Sequence, residues 1–274
     1  MSTILISGAS SGLGLALVNA YSSDASNKII AIDRAPFASP SKVKATIQFH
    51  LIDVSSPSSV AELGRILKDV PIDLVIHSAG IRGLVPSVED AQPDNVAAAE
   101  TLQAMDFETM TRTFAINSAG TFVLLRTLLP NLLLAAERHR SPYSMSSSVP
   151  KVIIMSSRMG SIGHNTIGGG YAYRASKAAL NAIVRSMSVD VPEVAFVLCH
   201  PGRVETKLVK CKEEGAISAQ ESVKGLLPLI DRWGTEDSGR FFDRFGGPIP
   251  WGLPCGANKA VDGVSPCQDA DIEV

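Results

Sequence analysis

The sequence predicts an α/β fold, a single domain built on a doubly wound parallel sheet. Two observations carry that prediction. Short apolar runs rich in β-branched residues recur along the chain, and most are continuous rather than alternating, as in strands covered on both faces. Helix-like segments lie between them, and strand alternating with helix implies right-handed crossovers in one parallel sheet. The 274 residues suffice for one large core, since a chain of this size buries roughly three quarters of the surface its unfolded form exposes.

In chain order, the strand-like runs are 3–7, 28–33, 47–52, 72–77, 151–156 and 194–199. The helical segments are 13–21, 58–68, 107–136, 173–190 and 219–233. Pro- and Ser-rich stretches at 34–44 and 140–150 read as surface loops. Segment 202–216 carries charges without a clear period and reads as a flap. No internal repeat or composition break marks a second domain, so residues 1–251 form the expected catalytic unit. Residues 252–274 form a polar, Gly/Pro-rich tail.

Charge narrows the partners. A net charge of -2 offers no basic excess for nucleic acid or an anionic membrane. The N-terminus lacks a basic segment followed by a long apolar one, and the apolar runs fall short of the roughly 18 residues of a membrane span. Cys199, Cys211, Cys255 and Cys267 form no CxxC pair. They read as reduced thiols of a cytoplasmic protein, with a Cys255–Cys267 bridge in the tail as the alternative.

Chemistry enters at Ser7-Gly8-Ala9-Ser10-Ser11-Gly12-Leu13-Gly14, between the first strand and the first helix. Such a turn lets backbone approach a pyrophosphate, while the helix N-terminus offers unpaired N–H groups and partial positive charge. Gly14 permits close helix–strand packing, as in the dinucleotide-binding turn of a Rossmann-type fold, which is the expected architecture. Asp33 ends the second strand, where an acid accepts from a ribose 2′-hydroxyl and repels a 2′-phosphate, favouring NAD. Arg34 beside it argues for NADP, because a guanidinium suits the 2′-phosphate. Asp53 ends the third strand and can accept from an adenine amino group, or simply cap the next loop.

Tyr173-Arg174-Ala175-Ser176-Lys177 opens a helical pattern, so Tyr173 and Lys177 share a face. An ammonium beside a phenol favours the phenolate, and a phenol so tuned can exchange a proton with a carbonyl or alcohol oxygen. Ser156 and Ser157 close the fifth strand, at the C-terminal end where ligands lie in such folds.

These residues together resemble a known family. The chain is similar, over nearly its whole length, to the short-chain dehydrogenase/reductases. The matching pieces are Gly8-x-x-x-Gly12-x-Gly14, Asp53-Val54, Ala79-Gly80, Asn117, Ser157, Tyr173-x-x-x-Lys177 and Pro201-Gly202-x-Val204-x-Thr206. The runs 156–162 and 171–177, and Gly239-Arg240-Phe241-Phe242-Asp243 leading to Ile249-Pro250-Trp251, look like the C-factor or sniffer-like carbonyl reductase branch. The resemblance implies hydride transfer between NAD or NADP and a small carbonyl or alcohol substrate, in a homodimer or homotetramer. By it Tyr173 is the general acid/base, and Lys177 lowers its pKa and binds the nicotinamide ribose. Ser157 positions the substrate oxygen and Asn117 anchors a relay water. Val204 and Thr206 hold the carboxamide, and Ser78, Ala79 and Gly80 border the cofactor. Arg126 lies where the family often has a basic residue on the cofactor side.

The chain departs from the family pattern at three places. Ser78-Ala79-Gly80 stands where the family usually has Asn-Ala-Gly, and Ser157 precedes Tyr173 by sixteen residues where many members have thirteen. Gly168-Gly169-Gly170 can absorb the extra length; otherwise Ser161 is the rival positioning serine. His200 precedes Pro201-Gly202 and reads as a strand-end residue beside the cofactor. The competing function is a nucleotide-binding signalling or interaction protein on the same fold, since fold does not fix function.

Overall fold

The computed structural model describes residues 2–39, 43–140, 149–211 and 213–252. Seven parallel strands form one sheet in the order β3-β2-β1-β4-β5-β6-β7. They are β1 (Ser2–Ser7), β2 (Asn27–Asp33), β3 (Thr46–Leu51), β4 (Leu74–His77), β5 (Lys151–Met155), β6 (Ala195–His200) and β7 (Phe241–Asp243). The doubly wound, Rossmann-type prediction holds. β7 was not anticipated, because three residues are too few for a periodic signal. The tail from 253 and residues 141–148 of the second loop lie outside the described residues, as do Cys255 and Cys267; Cys199 and Cys211 are free thiols.

Helices cover both faces. α1 (Gly12–Tyr21) and α7 (Ala219–Arg232) pack on one side. α2 (Pro57–Ile66), α5 (Thr121–Arg140) and α6 (Tyr171–Asp190) pack on the other. The continuous apolar runs reflect this: Leu5, Ile6, Ile153, Ile154, Val197 and Leu198 are fully buried, pointing alternately into the two cores. Each such side chain contributes about 1.5–3 kcal/mol on burial. Edge strand β3 is only half-buried along its length, as its mixed sequence Thr-Ile-Gln-Phe-His-Leu requires.

The expected helix 107–136 is interrupted. α3 (Pro86–Ala91) precedes it, and α4 (Phe107–Phe114) passes into a π-helical turn, Ala115–Gly120, before α5. The combined span Phe107–Arg140 is long and apolar enough to cross a membrane by composition alone, with a mean hydropathy of 1.5 in its most apolar stretch. Instead Leu124, Leu125, Leu128 and Leu132 lie fully buried in the core.

Strand order reverses between β1 and β4. Chains leaving these two strands turn to opposite faces, which opens a crevice beyond their C-terminal ends.

Candidate active site

A cavity of about 750 Å³ occupies that crevice. Its floor at one end is the glycine turn. Gly8 (φ +70) and Gly12 (φ +52) adopt left-handed conformations that side chains disfavour. A Cβ on Gly8 would meet the Ala79 nitrogen at 2.9 Å, and one on Gly14 would lie 2.1 Å from the Gly8 carbonyl oxygen. The bare backbone therefore lets the turn pack against Ala79 and α1 against the turn. Ser11 stands at the N-cap of α1 but makes no side-chain cap, and no acid occupies the first turn of the helix. This helix end presents backbone donors and positive dipole to the cavity, a fit to a pyrophosphate. Gly8, Ser11, Gly12 and Leu13 line the cavity; Ser10 and Gly14 support the turn from behind.

Asp33 and Arg34 both reach the same end of the cavity. The Asp33 carboxylate accepts from Ser10 N at 2.9 Å and from Ala35 N at 3.0 Å, so it is held in place at the end of β2. Asp53 and Val54 line the wall beside them. Asp53 accepts from both the backbone and the hydroxyl of Ser55, which holds its carboxyl below the usual range.

The loop Ser78-Ala79-Gly80 lines the middle of the cavity and is held by a relay that the sequence did not announce. Register pairs Ser7 with His77 across β1 and β4. The Ser7 hydroxyl accepts from Ser78 N (3.1 Å) and Ala79 N (3.3 Å), leaving its proton for His77 Nδ1 at 2.8 Å. His77 Nε2 must then carry the hydrogen and donate to Thr121 Oγ1 at 2.8 Å, whose own proton goes to the Asn117 carbonyl. Burial drives the His77 pKa down to about 3, so it stays neutral. Asn117 sits on the π-helical turn, a feature common at functional sites. Its side chain clamps Ile81, with Oδ1 accepting from Ile81 N at 2.8 Å and Nδ2 donating to Ile81 O at 2.9 Å, and also donates to Ser176 Oγ. Asn117 is buried and does not line the cavity.

α6 supplies the other wall. Its buried face carries Tyr173, Ser176, Lys177 and Asn181 among apolar residues at helical spacing. Lys177 Nζ donates to the Met155 carbonyl at 2.9 Å and lies 5.7 Å from the Tyr173 ring centroid. Burial lowers its pKa to about 8. Burial also pushes the Tyr173 phenol up, against a downward pull from the Arg82 charge and from a hydrogen bond with Ser157. Arg82 lies nearer the ring than Lys177, with its guanidinium carbon 5.0 Å from the centroid. Of the two cations beside the ring, Arg82 is the nearer, and no motif in the sequence singles it out. Its only sequence signal is its position just past Ala79-Gly80.

The two candidate serines sit in different surroundings. Ser157 lines the cavity, next to Tyr173. Ser161 is buried, bonded to the Pro250 carbonyl, and accepts from His164 N. Its hydroxyl is spent on holding the segment before Trp251. Gly168, Gly169 and Gly170, all left-handed, take up the extra loop length. Ser157→Ala should lower kcat about 100-fold and, by removing the cap on Met159 N, cost about 1 kcal/mol of stability. Ser161→Ala should cost about 1–3 kcal/mol of stability and leave kcat within a few-fold. Steady-state kinetics and thermal melts of the two variants check this; the reverse pattern would reassign the serine.

The flap starts at Pro201-Gly202, and its base is zipped by a bridge between Val204 and Ile217. Val204 and Thr206 line the cavity, and the Thr206 methyl packs against Gly12. His200 lines it too, kept neutral by burial with a pKa near 4. Arg126 lies elsewhere: it is exposed on α5 over the Phe122 ring and does not line the cavity. Arg158 and Met159, from the 3-10 turn Arg158–Gly160, and His164, Ile167 and Glu213, from segments without periodic pattern, also line the cavity.

With this geometry in place, the comparisons agree. A family model described as short chain dehydrogenase matches residues 2–216. The chain is 39% identical over 183 residues to the C-signal protein of Myxococcus xanthus, spanning 66% of this chain and 93% of that one. Carbonyl reductase Sniffer of D. melanogaster superposes with a TM-score of 0.73 at 28% identity, covering 92% of this chain and 100% of that one. The NADPH-bound carbonyl reductase from chicken fatty liver gives 0.71 at 26%, covering 92% and 99%. The chain belongs to the short-chain dehydrogenase family and is an NAD(P)-dependent oxidoreductase.

Proposed function

We propose that the protein interconverts a carbonyl and an alcohol, with Tyr173 carrying the proton of the reacting oxygen. The observation that carries this reading is convergence: Tyr173, Ser157 and Lys177 line the same cavity whose other end is the glycine cradle. When bound, the nicotinamide cofactor supplies or takes up the hydride. In reduction the Tyr173 hydroxyl gives its proton to the carbonyl oxygen; in oxidation the phenolate takes it from the alcohol. Ser157 donates to that oxygen and aligns it. Lys177 holds the nicotinamide ribose. Asn117 fixes the loop at Ile81, and Val204 and Thr206 hold the carboxamide. Residues 1–251 carry all of these groups, and 252–274 carry none.

For the cofactor, Asp33 supports a preference for NAD. Its carboxylate is anchored where a 2′-phosphate would meet like charge. Arg34 opposes that preference, and the chicken carbonyl reductase is described with NADPH. Fluorescence titration with NADH and NADPH measures the balance. NADH should bind more tightly, and tighter NADPH binding would reverse the assignment.

The reaction itself is tested by following NAD(P)H absorbance over a panel of aldehydes, ketones and polycyclic phenolic ketones. Consumption with a carbonyl is the expected result. Cofactor binding without turnover on any of them would favour the signalling reading.

A further inference from the structure

Arg82 is held with more care than a surface cation needs. Its Nε and Nη2 each donate at 2.9 Å to one carboxylate oxygen of Glu100, and both side chains are mostly covered. Removing such a pair from water is costly, and well-packed apolar residues would hold a core as well. The partners are tied down in turn. Glu100 ends the 3-10 turn Val96–Glu100, and its carbonyl accepts from Gly170 N at 2.9 Å, at the entry to α6. Arg82 follows Ile81, whose backbone Asn117 clamps on both sides. The extra loop length before α6 thus ends on Glu100, and Glu100 aims a planar, bidentate cation at the Tyr173 ring.

We propose that Arg82, gripped by Glu100, is a positioning residue for proton transfer at Tyr173, seating the ring and keeping a fixed positive charge beside the phenol. The proposal rests on Tyr173 as the proton carrier. The groups facing Tyr173 are Arg82 from the loop after β4, Glu100 from the 3-10 turn, Glu213 from the flap, Ser157 from the end of β5, and Lys177 on α6 itself. Of these, Arg82 opposes the effect of burial most strongly, Ser157 helps, and the two glutamates work against it. Lys177 loses its charge as pH rises past about 8, whereas Glu100 holds the Arg82 pKa above its ordinary value. In the alkaline range, where alcohol oxidation needs a phenolate, Arg82 is the cation that stays.

The sign follows directly. Arg82 favours the charged phenolate, so its removal raises the phenol pKa. Oxidation then loses rate at neutral pH and its rising limb moves to higher pH, while reduction persists to higher pH. The test uses the protein with oxidised cofactor bound. Phenolate formation is followed by ultraviolet difference absorbance, with Tyr173→Phe as the blank, alongside the pH profiles of kcat and kcat/KM for oxidation. Removing Arg82 alone would strand a buried carboxylate, so the variant is the double replacement Arg82→Gln with Glu100→Gln. Arg82→Lys is the charge-keeping comparison.

Measured against Glu100→Gln alone, which already lacks the opposing charge of the glutamate, the double variant should move both the absorbance midpoint and the oxidation limb to higher pH, with about tenfold slower oxidation at pH 7. Arg82→Lys should hold both near the wild-type position. An unmoved midpoint in the double variant overturns the proposal. So does a higher KM with an unmoved limb, which would make Arg82 a substrate-binding group. A midpoint that moves while the limb stays overturns it through Tyr173: the charge reaches the phenol, but the phenol is not the proton carrier.

Discussion

Tyr173→Phe should abolish turnover while leaving cofactor binding and stability nearly intact. The substitution removes one hydroxyl and keeps the ring. The ring's packing in α6, the Arg82 guanidinium above it and the Lys177 contact with Met155 all survive. What disappears is the hydroxyl proposed to exchange a proton with the substrate oxygen, and Ser157 loses its hydrogen-bonding neighbour. Proton transfer by a positioned side chain is worth about 10²–10⁴ in rate, so kcat should fall by at least the lower figure. A cofactor dissociation constant within a few-fold of wild type and an unchanged melting temperature would show that chemistry alone was lost. Turnover at the wild-type rate would end the assignment of Tyr173.

Gly14→Ala should damage the other end of the cavity as severely. A methyl there would sit 2.1 Å from the Gly8 carbonyl oxygen, 2.6 Å from its carbon and 3.2 Å from Ala9 N. All three are backbone atoms of the turn itself, so no rotamer change relieves the clash. Either α1 backs away from β1 or the turn deforms, and both displace the helix N-terminus that faces the cavity. Overpacking of this kind costs about 1–3 kcal/mol. The cofactor dissociation constant should rise about 100-fold or more, measured by fluorescence titration beside a thermal melt. Wild-type affinity in a folded Gly14→Ala protein would show that the turn does not cradle the cofactor.

The two variants probe residues of different legibility. Gly14 could be read from the sequence because close helix–strand packing leaves one chemical signature, a glycine at a fixed offset from a strand. Tyr173 and Lys177 could be read because helical spacing puts i and i+4 on one face. Ser157 was half legible: its place after β5 was clear, but loop length left Ser161 in contention until the Ser161 hydroxyl was seen bonded to Pro250. Arg126 was misplaced because a basic residue on a long apolar helix carries no sign of which way it faces.

The sequence by itself determined the sheet, the winding, the glycine turn and the tyrosine helix. Those features depend on local geometry: runs of apolar residues make two-faced strands, and fixed spacings put side chains on one face. Tertiary structure alone decided the rest. The Ser7–His77–Thr121 relay joins residues 70 and 44 positions apart. Ile81 is clamped by Asn117 from 36 positions away. Arg82 and Glu100 meet only because the loop after β4 and a 3-10 turn converge above α6. Burial then sets the chemistry, lowering Lys177 and raising Tyr173, and burial belongs to the folded chain rather than to any one segment of it.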